Sequence, residues 1–365
     1  MALTKVSTGV VDMSQDTGGL VIAKGTTAQQ PTCDASTLGS IRENTTENKV
    51  EVCTSTGWQF LEEAGTVLPD LIVDYLVIAG GGGGGGNRGA GGGGAGGYRT
   101  SFGAGNVSGG LQPVESTLTL QENTQYTVTV GSGGVAGSAS SATRGSNGAN
   151  SIFDQITSTG GGGGGGGLAN QAPGNGGSGG GGSNYAGNFY NGGTAVTPIQ
   201  GFAGGNGNSL GATSNKEGGV GGGGAGSASL AVSALGVGTN GGGGLASSIT
   251  GTLSSYAGGG GGASNLSSGS AGTGSDGGGD GRGVSQGSGN ATSGSANTGG
   301  GGGAHPGQSI TGNPGSGGSG VVILRYPDAY STTKTGTLVS SVDSVTVLGF
   351  KIEKFTSGTG TITFA

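Results

Sequence analysis

DYLVIAGGGGGGGNRGAGGGGAGG, residues 74–97, poses the problem of the whole chain: an apolar strand runs without a break into glycine. A lone glycine run reads as a flexible linker. Each glycine costs about 0.5–1 kcal/mol more than alanine to fix in a regular element. Here, however, the runs recur, starting at Gly80, Gly91, Gly160, Gly176, Gly221, Gly241, Gly258 and Gly299. Apolar segments bracket them, DLIVDYLVIAG at 70–80 and GVVILRYP at 320–327, and alanine interrupts several. A linker needs none of these features. An ordered alternative is the polyglycine II rod, extended, with three residues per turn and no internal hydrogen bonds. Its N–H and C=O groups all point outward and must find partners. Neighbouring rods supply them when no Cβ stands between. The two bracketing segments are nearly continuous in Val, Ile and Leu, which suits strands covered on both faces, and they pair with each other in this reading.

Composition agrees with a core made of backbone. Glycine accounts for 99 of 365 residues, and hydrophobic residues for only 30%, against roughly 45–50% in ordinary domains. Charged residues make up 9%, too few for a typical disordered chain. Glycine comes in runs rather than at every third position, which excludes collagen. The fold class expected is all-β with a glycine-rich body and essentially no α-helix.

Three regions follow. Residues 1–69 have near-normal composition and read as a small β-meander that buries too little surface to stand alone, so oligomerisation is expected. Short strands are expected at Val10–Val11 and at 19–23, and Ile41, Val50, Val52, Trp58 and Phe60 are expected on one buried face. Residues 70–330 form the glycine-rich domain, with STLTLQENTQYTVTV at 116–130 as an inserted β-hairpin. Residues 331–365 read as a terminal β-hairpin or cap around the turn at 357–360.

Several functions are excluded by what the chain lacks. The net charge is −6 with 13 Lys and Arg, and no basic cluster exists to track a phosphate backbone, so nucleic acid is not a partner. The start, MALTKVSTGVVDMS, has no apolar signal region. No apolar run approaches the roughly 20 residues that span a bilayer, so membrane insertion is not expected and synthesis in a cytoplasm is. For Cys33 and Cys53, pairing and two separate buried thiols both stay open. Matches to Gly-x-Gly-x-x-Gly arise from composition alone, and no run ends in Gly-Lys-Ser/Thr, so no nucleotide cofactor is expected. GTGSDGGGD at 272–280 resembles a fragment of a calcium repeat, making Asp276 and Asp280 weak metal candidates against a solvated turn. His305, the sole histidine, has no nucleophile-elbow motif to serve. No catalytic residue and no enzyme activity are expected.

The scarce aromatics fall between glycine runs, either as plugs closing rod ends or as a contact surface. As contacts, the leading segment is 183–202 with Tyr185, Asn188, Phe189, Tyr190 and Phe202. The second is 98–112 with Tyr98, Arg99 and Phe102. Tyrosine and asparagine on loops make rigid, amphipathic contacts at low entropic cost, and loops carry function on rigid scaffolds.

TGGLVIAKGTTAQQP at 17–31, followed by GSIRENTTENKVEVCTSTGWQFL at 39–61, resembles a module of tailed-bacteriophage structural proteins. Ala23 and Gln30 stand where that module has Pro and Arg, and Glu43 and Cys53 where it has tyrosines. DYLVIAGGGGGGG, GAGGGGAGGYRTS, STLTLQENTQYTVTVGSGG and GGSGVVILRYP resemble the glycine-rich domain of marine phage and bacterial surface proteins. KIEKFTSGTGTITF, at 351–364, resembles a motif that often precedes that domain; here it follows. The packed-rod architecture is similar to that of tail-fibre adhesins of T-even-like phages, whose end loops bind host receptors. The resemblance implies a virion protein in a tail fibre or on a capsid surface. Its implied partners are other virion proteins, a host outer-membrane protein or glycan, and further copies of itself in a homotrimer.

Overall fold

A computed structural model describes residues 22–61, 69–103, 107–168, 171–185, 188–207, 217–307 and 310–365. The protein is all-β, with short 3-10 turns as the only helical pieces among these residues. It divides into two units, Met1–Leu68 and Pro69–Ala365.

In the first unit, Ala23–Gly25, Ile41–Asn44, Lys49–Thr54 and Gly57–Phe60 form a four-stranded sheet in chain order. The strand expected at Val10–Val11 lies outside the described residues, as does most of 19–23. The expected single apolar face is corrected. The tight turn pairs Cys53 with Trp58 and Val52 with Gln59, so Trp58 and Phe60 lie on the face opposite Ile41, Val50 and Val52. One residue of turn length inverts every side chain beyond it. The better covered face is polar: Arg42, Asn44 and Glu51 are buried there. Arg42 Nε lies 3.4 Å from Glu51 Oε1, and its guanidinium carbon sits 5.9 Å from the Trp58 ring. Cys33 and Cys53 are joined in a disulfide, which settles the alternative the sequence left open.

In the second unit the bracketing strands, Ile72–Ile78 and Val321–Pro327, pair antiparallel as expected, Leu76 opposite Ile323 and Ile78 opposite Val321. They lie inside a six-stranded sheet. Leu76, Ile78, Val321 and Ile323 face a cluster with Tyr98, Ile249, Tyr256 and Ile352. Tyr75 and Tyr326 face the other way, onto a five-stranded sheet, meeting Phe153 at 6.5 Å and Phe364 at 5.1 Å between ring centroids. Burial on both faces explains the unbroken apolar runs.

Two expected hairpins are corrected. Within 116–130, Leu118–Thr119 pairs with the ingoing strand at Ile72 and Val73. Gln125–Thr129 instead lies between Ser151–Phe153 and Thr359–Phe364. Alternation marks both arms as strands but does not choose their partners, and a place inside a sheet satisfies both strand edges where an isolated ribbon leaves two open. In the C-terminal region, Phe350–Ser357 pairs with Val321–Pro327 and with Val339–Asp343. After Gly358, at φ +96°, Thr359–Phe364 crosses to the other sheet. Residues 331–365 therefore weld the two sheets rather than cap them. Glu353, fully buried between the sheets, accepts hydrogen bonds from Tyr326 Oη at 3.3 Å, Thr332 Oγ1 at 2.9 Å and Ser340 Oγ at 2.9 Å. Lys334 Nζ binds the same carboxylate at 2.6 Å.

The glycine runs are rods in a hydrogen-bonded lattice. Gly80, Gly83 and Gly86 donate to Ala149, Ser146 and Thr143, Gly81 and Gly84 to Gly318 and Gly315, and Gly82 and Gly85 to Gly94 and Gly91. Their carbonyls accept from Gly161, Gly164 and Gly167, from Gly134 and Gly137, and from Gly302 and His305. All these bonds measure 2.8–3.1 Å. Partners recur every three residues, the period of polyglycine II. The rod 80–86 thus has six neighbours, three antiparallel through its N–H groups and three parallel through its carbonyls. A Cβ added at any of these seven glycines would fall under 3.0 Å from a neighbouring carbonyl.

At the lattice edge, side chains replace the missing rods. Asn147 and Asn150 accept from the N–H groups of Gly163 and Gly160, each at 2.9 Å. Asn175, Asn206 and Asn240 do the same for Thr194, Gly192 and Thr273. An unmet buried N–H costs about 1–3 kcal/mol, so each polar side chain on an outer rod completes the lattice there.

Candidate contact surface

The rods run alternately up and down, so their connections gather at two opposite ends. One end is the β base: the rods meet the sheets there at residues 79, 97–98, 131, 150–159, 244–257 and 320–321. The other carries, among the described residues, the turns at 87–89, 139–142, 184–185 with 188–189, 233–237, 265–269, 284–287, and 305–307 with 310–312.

A buried carboxylate organises this turn end. Asn87 and Arg88 leave the central rod at φ +79° and +41°, the left-handed region where asparagine is at home and arginine is strained. The reversal aims Arg88 at Glu217, with Nη1 3.4 Å from Oε1, and stacks its guanidinium 4.9 Å from the Tyr185 ring. Glu217 is fully buried, and its Oε2 accepts from Asn265 Nδ2 at 3.0 Å. Asn184 donates from Nδ2 to the Gly218 carbonyl at 2.7 Å and from N–H to Gly89. Three rod ends and the Asn184–Tyr185/Asn188–Phe189 ribbon are pinned together. Sequence reading passed over Glu217, Asn184 and Asn265. Arg88 carried the available signal, a lone charge between two long glycine runs.

The sequence-predicted contact residues divide between the ends. Tyr185, Phe189 and Tyr190 are half-buried at the turn end, and Asn188 shares their ribbon. Phe202 opens its rod at the opposite end, half-buried. Tyr98, Arg99 and Phe102 belong to the base. Tyr98 is 1% exposed within the core cluster, and burial pushes its hydroxyl up to about 12. Its expected contact role is therefore corrected: it is a plug under the lattice. Arg99 is held by Glu115 and by the Thr157 carbonyl, and Phe102 lies beneath the Arg325 guanidinium at 5.0 Å. Asp276 and Asp280 accept from the N–H groups of Gly244 and Gly274 at 2.7 and 2.8 Å, the lattice-edge role of the asparagines. Among the described residues no three His, Cys, Asp or Glu side chains gather as a metal site would require.

A family model for a glycine-rich domain matches residues 62–327. The chain belongs to the glycine-rich domain family. Neither a curated protein nor a solved structure matches it. The match to the glycine-rich domain family takes in the lattice and both bracketing strands. It stops before 331–365, which in this member of the family complete the base.

His305 lies at the turn end, with no exposure. Its Nδ1 accepts from Gly307 N–H at 3.0 Å, and Nε2 lies 3.0 Å from the Gly289 carbonyl. A carbonyl only accepts, so Nε2 carries the proton and the ring is neutral. Burial, with Arg282 nearby, lowers its pKa from the ordinary 6.5. The unfolded chain then binds a proton that the folded one refuses, so stability is complete above pH 6.5 and falls below it as pH drops toward the lowered value. Urea midpoints between pH 7.5 and 5.5 should decline with this slope, and His305→Gln should flatten it. An equal slope in the variant would exclude His305 as its source.

Proposed function

We propose that this chain is a virion protein of a tailed bacteriophage, a tail-fibre or adhesin component that presents loops to a receptor on the host cell surface. The observation that carries this reading is the polarity of the second unit. The chain enters it at the base, where Pro69 accepts a hydrogen bond from Tyr330 at 2.7 Å, and the turns stand at the far end of the rods. Seven residues at about 3.1 Å each set the two ends ~20 Å apart. A lattice without side-chain freedom gives such a spacer stiffness, which lowers the entropic cost of binding through the turns it holds. The resemblance of residues 17–61 to phage structural modules supports a virion setting with other virion proteins and a homotrimer as partners. The role is binding rather than catalysis, with an outer-membrane protein or glycan as receptor.

Tyr185 and Phe189 are the test. Purified protein should adsorb to host cells, and the double variant Tyr185→Ala/Phe189→Ala should lose about tenfold or more in affinity, as hot-spot aromatics do. Adsorption unchanged by the double variant would remove this surface from the proposal. A protein that adsorbs to no cell would instead be a structural decoration of the capsid or fibre.

A further inference from the structure

The chain contains Asn–Gly at 147–148, 175–176, 191–192, 206–207 and 240–241, and Asn–Gly is the step most open to spontaneous deamidation. The glycine amide nitrogen, losing its proton, attacks the asparagine side-chain carbonyl carbon. A C–N bond forms, the side-chain nitrogen leaves as ammonia, and a cyclic imide results. Water then opens the imide to aspartate or isoaspartate. The reaction needs a glycine N–H that is free and an asparagine side chain able to fold back upon it.

The lattice withholds the first requirement at all five positions. Gly148 donates to Gly161, Gly176 to Thr194, Gly207 to Tyr190 and Gly241 to Thr273, at 2.9–3.2 Å. Gly192 donates to the side-chain oxygen of Asn206 at 3.0 Å. The second requirement is withheld at four. Asn147, Asn175, Asn206 and Asn240 each hold Oδ1 on an N–H of another rod, at 2.8–3.0 Å. Asn191 differs. Its side chain is exposed and has no hydrogen-bond partner among the described residues. The acceptor guarding its glycine is a side chain at the exposed lattice edge rather than a backbone carbonyl.

We infer that Asn191 is the deamidation site of the folded protein, and that the other four Asn–Gly steps are sealed until the lattice opens. The position matters because Asn191 follows Tyr190 on the turn-end segment. Conversion to aspartate adds a negative charge there. Conversion to isoaspartate lengthens the backbone by one methylene where the rod begins. The contact surface would thus change with the age of the particle while the scaffold does not. The chemistry stands whatever the chain binds.

The test is to incubate the full-length folded protein at mildly alkaline pH and follow each Asn–Gly peptide by mass spectrometry, with a urea-unfolded sample beside it. In the unfolded chain all five should convert at similar rates. In the folded chain Asn191 should convert at least about tenfold faster than the other four, the factor one hydrogen bond is worth. Asn206→Ala removes the acceptor from Gly192 and should speed Asn191 further, again by about tenfold. Equal conversion at all five in the folded protein would overturn the inference. So would an Asn191 as inert as the rest, or one indifferent to Asn206→Ala.

Discussion

Gly84→Ala should unfold the second unit at much lower urea than the native chain, whereas Gly243→Ala should leave the midpoint unchanged or raise it. A Cβ at Gly84 would meet the Gly303 carbonyl under 3.0 Å away. Overpacking an ordinary core costs about 1–3 kcal/mol because side chains yield. Here the obstacle is backbone, itself bonded to other rods, and no rotamer change relieves it. The loss should reach about 3 kcal/mol or more, and a larger side chain should prevent folding of the unit. At Gly243 the nearest atoms to a Cβ are Ser227 Oγ at 3.4 Å and Asp276 Oδ2 at 3.9 Å, ordinary contacts. There alanine restricts only the unfolded chain, a gain of about 0.4–1 kcal/mol at compatible sites. Equal midpoints for Gly84→Ala and the native protein would refute the backbone core.

Glu353→Ala should cost about 3 kcal/mol or more, because the fully buried carboxylate is the shared acceptor of several hydroxyls and each donor left buried without a partner costs about 1–3 kcal/mol. The loss leaves the hydroxyls of Tyr326, Thr332 and Ser340 without their acceptor, while Lys334, itself exposed, turns to water. These donors come from both sheets, so the variant should weaken the sandwich beneath the lattice. Glu353→Gln, which keeps an acceptor oxygen among the three hydroxyls, should recover much of the loss, whereas Lys334→Met should cost at most about 1 kcal/mol, as for an exposed ion pair. Thermal unfolding of the variants checks both statements. A Glu353→Gln variant no better than Glu353→Ala would show that the charge, and not the acceptor, holds the hydroxyls.

Parts of this architecture are legible because their chemistry leaves marks. Seven consecutive glycines make sense where six neighbours crowd one rod, and the unbroken apolar text of Ile72–Ile78 reflects cover on both faces. Other parts leave none. Glycine has no side chain to encode which rod lies beside which, so the pairing of Gly81 with Gly318 cannot be read from its residue type. The reversal of Trp58 and Phe60 turned on one residue of turn length. Tyr98 and Tyr185 occupy similar positions beside glycine runs, yet one plugs the base and the other stacks on Arg88 at the turns. Chain direction along the rods decides between them, and composition does not record it. Asp276 and Asp280 carry only a weak likeness to a metal loop, and backbone N–H groups at a lattice edge recruit the same acceptors.

The central rod also sets a timetable. Residues 80–86 leave the ribosome first, and two of their six neighbours, around 300–305 and 315–318, follow long after them. Until then the N–H groups of Gly81 and Gly84 have only water to bind. Contacts so distant in sequence make for slow, late folding, and no nascent fragment owns a complete core. The lattice therefore closes only once residues 315–318 have been made.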